Sequence, residues 1–68
     1  MSLDIRIYGD TVASQVANEL RSLGLSPHVH QQSGVIEASC HDIQPVKEIT
    51  TRHQVACVRV HHGTLIAV

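Results

Sequence analysis

Residues 27–41, Pro-His-Val-His-Gln-Gln-Ser-Gly-Val-Ile-Glu-Ala-Ser-Cys-His, predict a β-hairpin from which the rest of the chain can be interpreted. Ser33-Gly34 is a candidate two-residue turn, because glycine tolerates the positive φ that a tight hairpin turn requires. This turn pairs Gln32 with Val35, Gln31 with Ile36, His30 with Glu37, Val29 with Ala38 and His28 with Ser39. The apolar side chains then share one face, whereas a slip of one residue would mix apolar and polar side chains on both faces.

The composition is that of one small domain spanning residues 1–68. The formal net charge is −1 with neutral histidines, and Tyr8 is the single residue among Phe, Trp and Tyr. A domain dedicated to nucleic acid would carry a basic patch and stacking aromatics, so no nucleic-acid partner is expected. No apolar run is long enough to span a membrane and no signal-peptide pattern is present, so we expect a cytoplasmic protein with no membrane partner.

Periodic patterns place the other elements on either side of the hairpin. The prediction is a strand at 3–8, a helix at 11–23, the hairpin, a second helix ending near 52 or 53, and strands at 55–61 and 64–68. Asp10 or Thr11 is the expected N-cap of the first helix, and Asp42 is that of the second. Gly24 occupies the position after the first helix where a left-handed residue is favoured.

This order, βαββαββ, predicts an α+β fold of the ferredoxin-like, split βαβ type with an extra C-terminal edge strand. In this arrangement the antiparallel sheet has the strand order 2-3-1-4, with the fifth strand beside the fourth. Right-handed crossovers place both helices on the same face of the sheet. The other face is expected to be polar throughout. Its expected members are Asp4, Arg6, Tyr8, His28, His30, Glu37, Ser39, His41, Cys57, Arg59 and His61.

The last two strands form a second predicted hairpin, joined by a tight turn at His62-Gly63. We expect the drier set of side chains to face the helices, namely Ala56, Val58, Val60, Leu65 and Ala67. The alternate set, Val55, Cys57, Arg59, His61, Ile66 and Val68, is then expected on the outer face.

Histidines on the predicted polar face form a candidate metal site. His28 and His30 leave the same face of a strand, Glu37 lies opposite His30, and His41 follows on the same side. Imidazole and carboxylate groups are ligands for Zn, Ni or Cu, so metal binding or sensing is one alternative function. The other interpretation is a solvated sheet face with a cross-strand pair between His30 and Glu37.

The βαββαβ order and the chain length are similar to those of heavy-metal-associated domains. Those domains carry a cysteine pair in the loop after the first strand, where this chain has Tyr8-Gly9-Asp10-Thr11 and no sulfur. ACT domains, which bind regulatory amino acids, use the same loop between the first strand and the first helix. A small-ligand-binding regulatory domain of ACT-like topology is therefore a second alternative.

The two cysteines predict neither a catalytic site nor a disulfide. Adjacent strand residues point to opposite faces, so Cys40 is expected inside and His41 outside, too far apart for a nucleophile and its base. By the same alternation Cys57 is expected on the face opposite Cys40. No convergent catalytic set is found, and we expect a protein that is not an enzyme.

The last strand is apolar on both sides, which is unusual for a strand at the edge of a sheet. Such an edge is a template for pairing unless another chain covers it, so we expect a homodimer. The predicted interface residues are Ile66, Val68, Leu65, Arg59, Tyr8 and Arg6. The predicted function is a small protein–protein interaction module, such as an adaptor, an inhibitor or a regulatory subunit, with a protein partner.

Overall fold

The computed structural model describes all 68 residues, Met1 to Val68, and contains five strands and two helices. The strands are β1 (Leu3–Tyr8), β2 (His28–His30), β3 (Val35–Cys40), β4 (Ala56–His61) and β5 (Thr64–Ala67). The helices are α1 (Ala13–Ser22), which follows a short 3₁₀ turn at Asp10–Val12, and α2 (Ile43–Arg52). The strands form one antiparallel sheet in the order β2-β3-β1-β4-β5, so the predicted α+β class is confirmed.

The core lies between the helices and one side of the sheet, which we call the helix side. In β1, Ile5 and Ile7 are almost completely buried, while their neighbours Asp4 and Tyr8 are exposed. The helices add their apolar stripes to the same cluster: Ala13, Val16, Ala17 and Leu20 from α1, and Val46 and Ile49 from α2. We call the opposite side of the sheet the open face, because the helix residues of this cluster do not pack against it.

The predicted N-cap is confirmed for the second helix and is wrong for the first. The Asp42 carboxylate accepts a hydrogen bond from the Gln44 backbone N–H at 3.0 Å, as an N-cap does. Neither Asp10 nor Thr11 caps the first helix, so that prediction is wrong. The 3₁₀ turn occupies this position instead, and Asp10 has a positive φ of 50°.

Both helices end in the same motif. After α1, Leu25 N–H donates to Leu20 C=O and Gly24 N–H donates to Arg21 C=O. After α2, Val55 N–H donates to Thr50 C=O, and the residue before it, Gln54, has a φ of 58°. This is the Schellman arrangement, in which the residue after the left-handed position turns back onto the helix. Leu25 and Val55 both pack against the core.

The β2–β3 hairpin keeps its predicted faces but not its predicted turn. The loop contains residues 31–34, so His30 pairs with Val35, Val29 with Ile36 and His28 with Glu37. This register differs from the predicted one by two residues, and a shift of two leaves every side chain on the same face. Val29 and Ile36 therefore face the core, as expected.

The β4–β5 hairpin keeps its predicted turn but not its predicted faces. His61 pairs with Thr64, Val60 with Leu65 and Val58 with Ala67, as expected. Against β1, however, Arg59 lies opposite Ile5 and Cys57 opposite Ile7, which are both core residues. Side chains of paired residues point to the same side of a sheet. The placement of Val58 and Val60 toward the helices is therefore wrong, and so is that of Cys57 and Arg59 on the outer face.

The physical reason for this reversal is the end of α2. Its Schellman motif directs Val55 into the core, so the alternation along β4 begins with an inward residue at 55. Two consequences follow. The open face is not polar throughout, because β4 and β5 bring apolar side chains to it, and Cys40 and Cys57 lie on the same side of the sheet as each other. Both cysteines are free.

Candidate functional site

The open face is divided into an apolar and a polar half along the sheet. The apolar half, which we call the apolar patch, consists of Val58, Val60, Leu65 and Ala67, whose side chains meet as cross-strand pairs. Leu65 has 48% of its surface exposed, and the two β4 valines are half-buried. Contiguous exposed apolar side chains are typical of surfaces that contact another molecule. The patch is therefore the first part of a candidate site.

The helix side of β5 is also uncovered and forms the second part. Ile66 is 41% exposed and Val68 is 36% exposed, whereas Arg59 and Cys57 on the same side of β4 are half-buried. Ile66 is paired with Arg59, a half-buried residue whose Nε atom is buried without a hydrogen-bond partner. All four residues of β5 are exposed. β5 thus presents apolar side chains on both faces and an open backbone edge between them.

The six residues predicted as an interface are divided between the two sides of the sheet. Ile66, Val68 and Arg59 lie on the helix side, and Leu65 lies on the open face with Tyr8 and Arg6. The sequence analysis places Leu65 on the inner face and the other five residues together on the outer face. The structure therefore differs from the prediction in the side of the sheet on which these residues lie. The six residues surround β5 and its neighbours but do not form one flat surface, and their role in an interface stays a prediction.

Three residues of this site are absent from the sequence prediction: Val58, Val60 and Ala67. An alternating strand does not reveal which of its faces is inside, and the more apolar face of β4 is the one expected in the core. The signal that identifies the inward face is the position of Val55 directly after the helix end at residues 50–54. Because this residue packs back on the last turn of the helix, it is the first inward-facing residue of the strand that follows.

The polar half of the open face carries a compact group of polar side chains, His28, His30, Glu37 and Arg6. The His30 ring nitrogen Nε2 lies 2.5 Å from Glu37 Oε1, and Arg6 Nη2 lies 3.9 Å from Glu37 Oε2. The His28 and His30 rings are in edge-to-face contact, with their centroids 4.7 Å apart. The hydrogen bond from His30, supported by the nearby Arg6 charge, holds the pKa of Glu37 below its ordinary value of 4.5.

The four residues of the predicted metal site are not gathered in one place. His28, His30 and Glu37 are neighbours, but His41 follows the far end of β3, where its Nδ1 donates to the Met1 carbonyl oxygen at 2.9 Å. No group of three or more His, Cys, Asp or Glu side chains is arranged to hold a metal ion. The polar half is held by contacts of Glu37 with His30 and Arg6, and binding of Zn, Ni or Cu to it stays a prediction.

The loop between β1 and α1, which would be the ligand loop in an ACT-like arrangement, is packed against the β2–β3 turn. Gly9 N–H donates to Gly34 C=O at 2.9 Å, and both glycines are buried. An added Cβ on Gly34 would lie 2.7 Å from the Asp10 Cα. The backbone of this loop is therefore in close contact with the β2–β3 turn.

The thiols are poorly suited to nucleophilic chemistry. Burial raises the pKa of Cys40, and burial together with the neighbouring Cys40 thiol raises the pKa of Cys57 to about 11. The reactive form of cysteine is the thiolate, and a raised pKa disfavours the thiolate at both positions. Their place in the molecule is as small apolar groups of the core.

Neither α1 nor α2 has the length and apolar character of a membrane-crossing helix. Comparison of the chain with known protein families, with curated proteins and with solved structures finds no match.

Proposed function

We propose that this protein is a small non-enzymatic protein–protein interaction module, an adaptor, inhibitor or regulatory subunit, that acts as a homodimer. The observation that carries the proposal is β5, an uncharged edge strand that exposes Leu65 on one face and Ile66 and Val68 on the other. Sheet edges in monomeric proteins are blunted by charges, prolines, bulges or a covering element, and β5 has none of these.

The adjoining apolar patch supports the same proposal. Val58 and Val60 extend the apolar surface of Leu65 and Ala67 inward from the edge, so the exposed region covers two strands. The polar half beside it, with His28, His30, Glu37 and Arg6, resembles the polar rim that surrounds the apolar centre of an interface. A chain of this size also buries few residues, 13 of 68, so association adds burial that the single copy lacks.

Two finer expectations belong to the same proposal. We infer that the arrangement is the ferredoxin-like one with an added C-terminal edge strand, supported by the strand order β2-β3-β1-β4-β5 and the single core formed by both helices. We also infer that the protein acts in the cytoplasm, because its two cysteines are free thiols, which persist in reducing compartments.

The test is the oligomeric state of the chain and of one charged variant. Light scattering across micromolar to millimolar concentration should give twice the chain mass, and Leu65→Glu should shift the equilibrium to the single copy by at least tenfold in Kd. Gln15→Glu is the matched control, because it adds the same charge to an exposed position of α1 and should leave the Kd unchanged. A wild-type chain that remains monomeric over this range would contradict the proposal.

A further inference from the structure

We propose that two copies join edge to edge through β5, in antiparallel register with the two-fold axis at Ile66, to form one continuous ten-stranded sheet. This inference rests on the proposed function and specifies its geometry. It follows from the direction of the backbone groups along β5, from the side chains at each position and from the absence of charge in the strand.

The turn before β5 determines which backbone groups are free. His62 and Gly63 have φ angles of 49° and 77°, the two positive values of a type I′ turn, and His61 pairs with Thr64 across it. The residues that close such a two-residue turn exchange hydrogen bonds, and bonded pairs then alternate with non-bonded pairs along an antiparallel ladder. Thr64 and Ile66 therefore bond to β4, whereas the N–H and C=O of Leu65 and Ala67 point away from it.

This spacing of free groups is self-complementary. If Ile66 faces Ile66 of the second copy, then Leu65 faces Ala67 of the second copy, and Ala67 faces its Leu65. Each of these two pairs exchanges two backbone hydrogen bonds, so all eight free groups are satisfied in one symmetric contact. A shift by one residue would place a free residue opposite a bonded one and leave these groups unpaired.

The side chains fit the same register. Ile66 lies at a non-bonded pair, where the Cα atoms approach to about 4.5 Å and the side chains are closest. Ile66, which is 41% exposed, would be covered by Ile66 of the second copy. Val68, which is 36% exposed, would lie beside Thr64 of the second copy. Residues 64–68 have no charged side chain, so the symmetric contact places no like-charged side chains opposite each other. The apolar patches of the two copies would become one surface across the axis.

Cysteine cross-linking tests the register directly. Ile66→Cys should form an intermolecular disulfide rapidly under mild oxidation, because the expected Cα separation lies within the range that a disulfide spans. Thr64→Cys is the matched control on the same side of the same strand. In this register, position 64 of one copy lies four residues, about 14 Å along the strand, from position 64 of the other copy. Thr64→Cys should therefore cross-link at least tenfold more slowly than Ile66→Cys. The wild-type chain, in which Cys40 is buried and Cys57 is half-buried, should cross-link far more slowly than Ile66→Cys.

A backbone variant gives a second, independent readout. Ala67→Pro removes one N–H that points toward the partner and none that bonds to β4, so the single copy should keep its circular dichroism spectrum. The dimer loses two hydrogen bonds in total, and its Kd should rise roughly tenfold to thirtyfold. Ala67→Thr keeps the N–H, so its Kd should rise by a clearly smaller factor than that of Ala67→Pro.

The outcomes separate this inference from the proposed function. A dimer in which Ile66→Cys cross-links no faster than Thr64→Cys would overturn the edge-to-edge register while leaving the interaction module intact. Equal dimerisation of Ala67→Pro and Ala67→Thr would overturn the register in the same way. A monomeric wild-type chain would overturn both.

Discussion

Individual glycines and left-handed residues decide how the loops of this protein pack. Gly34 has a φ of 75°, and it lies so close to the backbone of Asp10 that a side chain has no room. Gly24 has a similar φ of 86°, but nothing lies within 4 Å of an added Cβ there. The two positions therefore separate the cost of backbone conformation from the cost of close packing.

Gly34→Ala should destabilise the protein more than Gly24→Ala. Both variants force an L-residue into the left-handed region, which costs roughly 1–2 kcal/mol. Gly34→Ala additionally pushes the β2–β3 turn away from Asp10, and overpacking of this kind costs about 1–3 kcal/mol more. Urea unfolding at one fixed protein concentration measures both free energies. Equal losses would show that the contact between the turn and Asp10 does not constrain the fold.

Gln54 is a left-handed residue that is not glycine, and its replacement should stabilise the protein. At a φ of 58° the backbone of Gln54 is strained, and Gln54→Gly removes this strain at the end of α2. We expect a gain of roughly 0.5–1 kcal/mol, the left-handed penalty less the added freedom of the unfolded chain.

The control for Gln54 is the same substitution inside a helix. Gln15→Gly in the exposed face of α1 should cost about 1 kcal/mol, because glycine is a poor helix residue. Thermal unfolding of both variants should thus move in opposite directions. A loss of stability in Gln54→Gly would mean that the Gln54 side chain makes a compensating contact.

At the scale of elements, the sequence predicts positions better than orientations. Strands, helices and their order could be predicted because alternation, helical spacing and the residues Asp42 and Gly24 are local signals. The strand order could be predicted because the first six elements match the split βαβ arrangement. The face of β4 could not be predicted from its own alternation, because the set that points inward, Cys57 and Arg59, includes a charge and is the less apolar of the two.

The two hairpins show which kind of error matters. In β2–β3 the predicted turn is two residues too short, and the error cancels because the shift is even. In β4–β5 the predicted turn is correct, yet the predicted side of the sheet is wrong for each side chain. The candidate site depends on the second hairpin, so the edge strand could be predicted as exposed but the apolar patch could not.

At the scale of the whole molecule, one carboxylate joins the two helices. Glu19 on α1 accepts hydrogen bonds from Arg52 Nη1 at 2.7 Å and from the His53 ring, both at the end of α2. The hydrogen bond from His53, with the Arg52 charge beside it, lowers the pKa of Glu19 from its ordinary 4.5. The folded state therefore favours the charged carboxylate more than the unfolded chain does.

The contribution of Glu19 to stability should depend on pH. Because the folded pKa is the lower one, the contribution is fully present above about pH 4.5 and is lost as the pH falls through the folded value. Glu19→Gln should lower the thermal midpoint at pH 7, and the difference from wild type should shrink below pH 4.5. Glu48→Gln, an exposed carboxylate on α2, should give a small difference. A Glu19→Gln deficit that is constant from pH 7 to pH 3 would contradict this account.

The two edges of the sheet are unequal, and this limits how far assembly can proceed. β2 has three residues, of which two are histidines, and α1 packs beside it, whereas β5 has four exposed, uncharged residues. A symmetric contact pairs the β5 edge of one copy with that of the other. Only the short β2 strands then remain as edges of the joined sheet. Growth into a fibre needs two adhesive ends on every subunit. Because each chain has a single edge strand suited to pairing, assembly stops at the dimer. Concentrated solutions should therefore remain clear and should not gel.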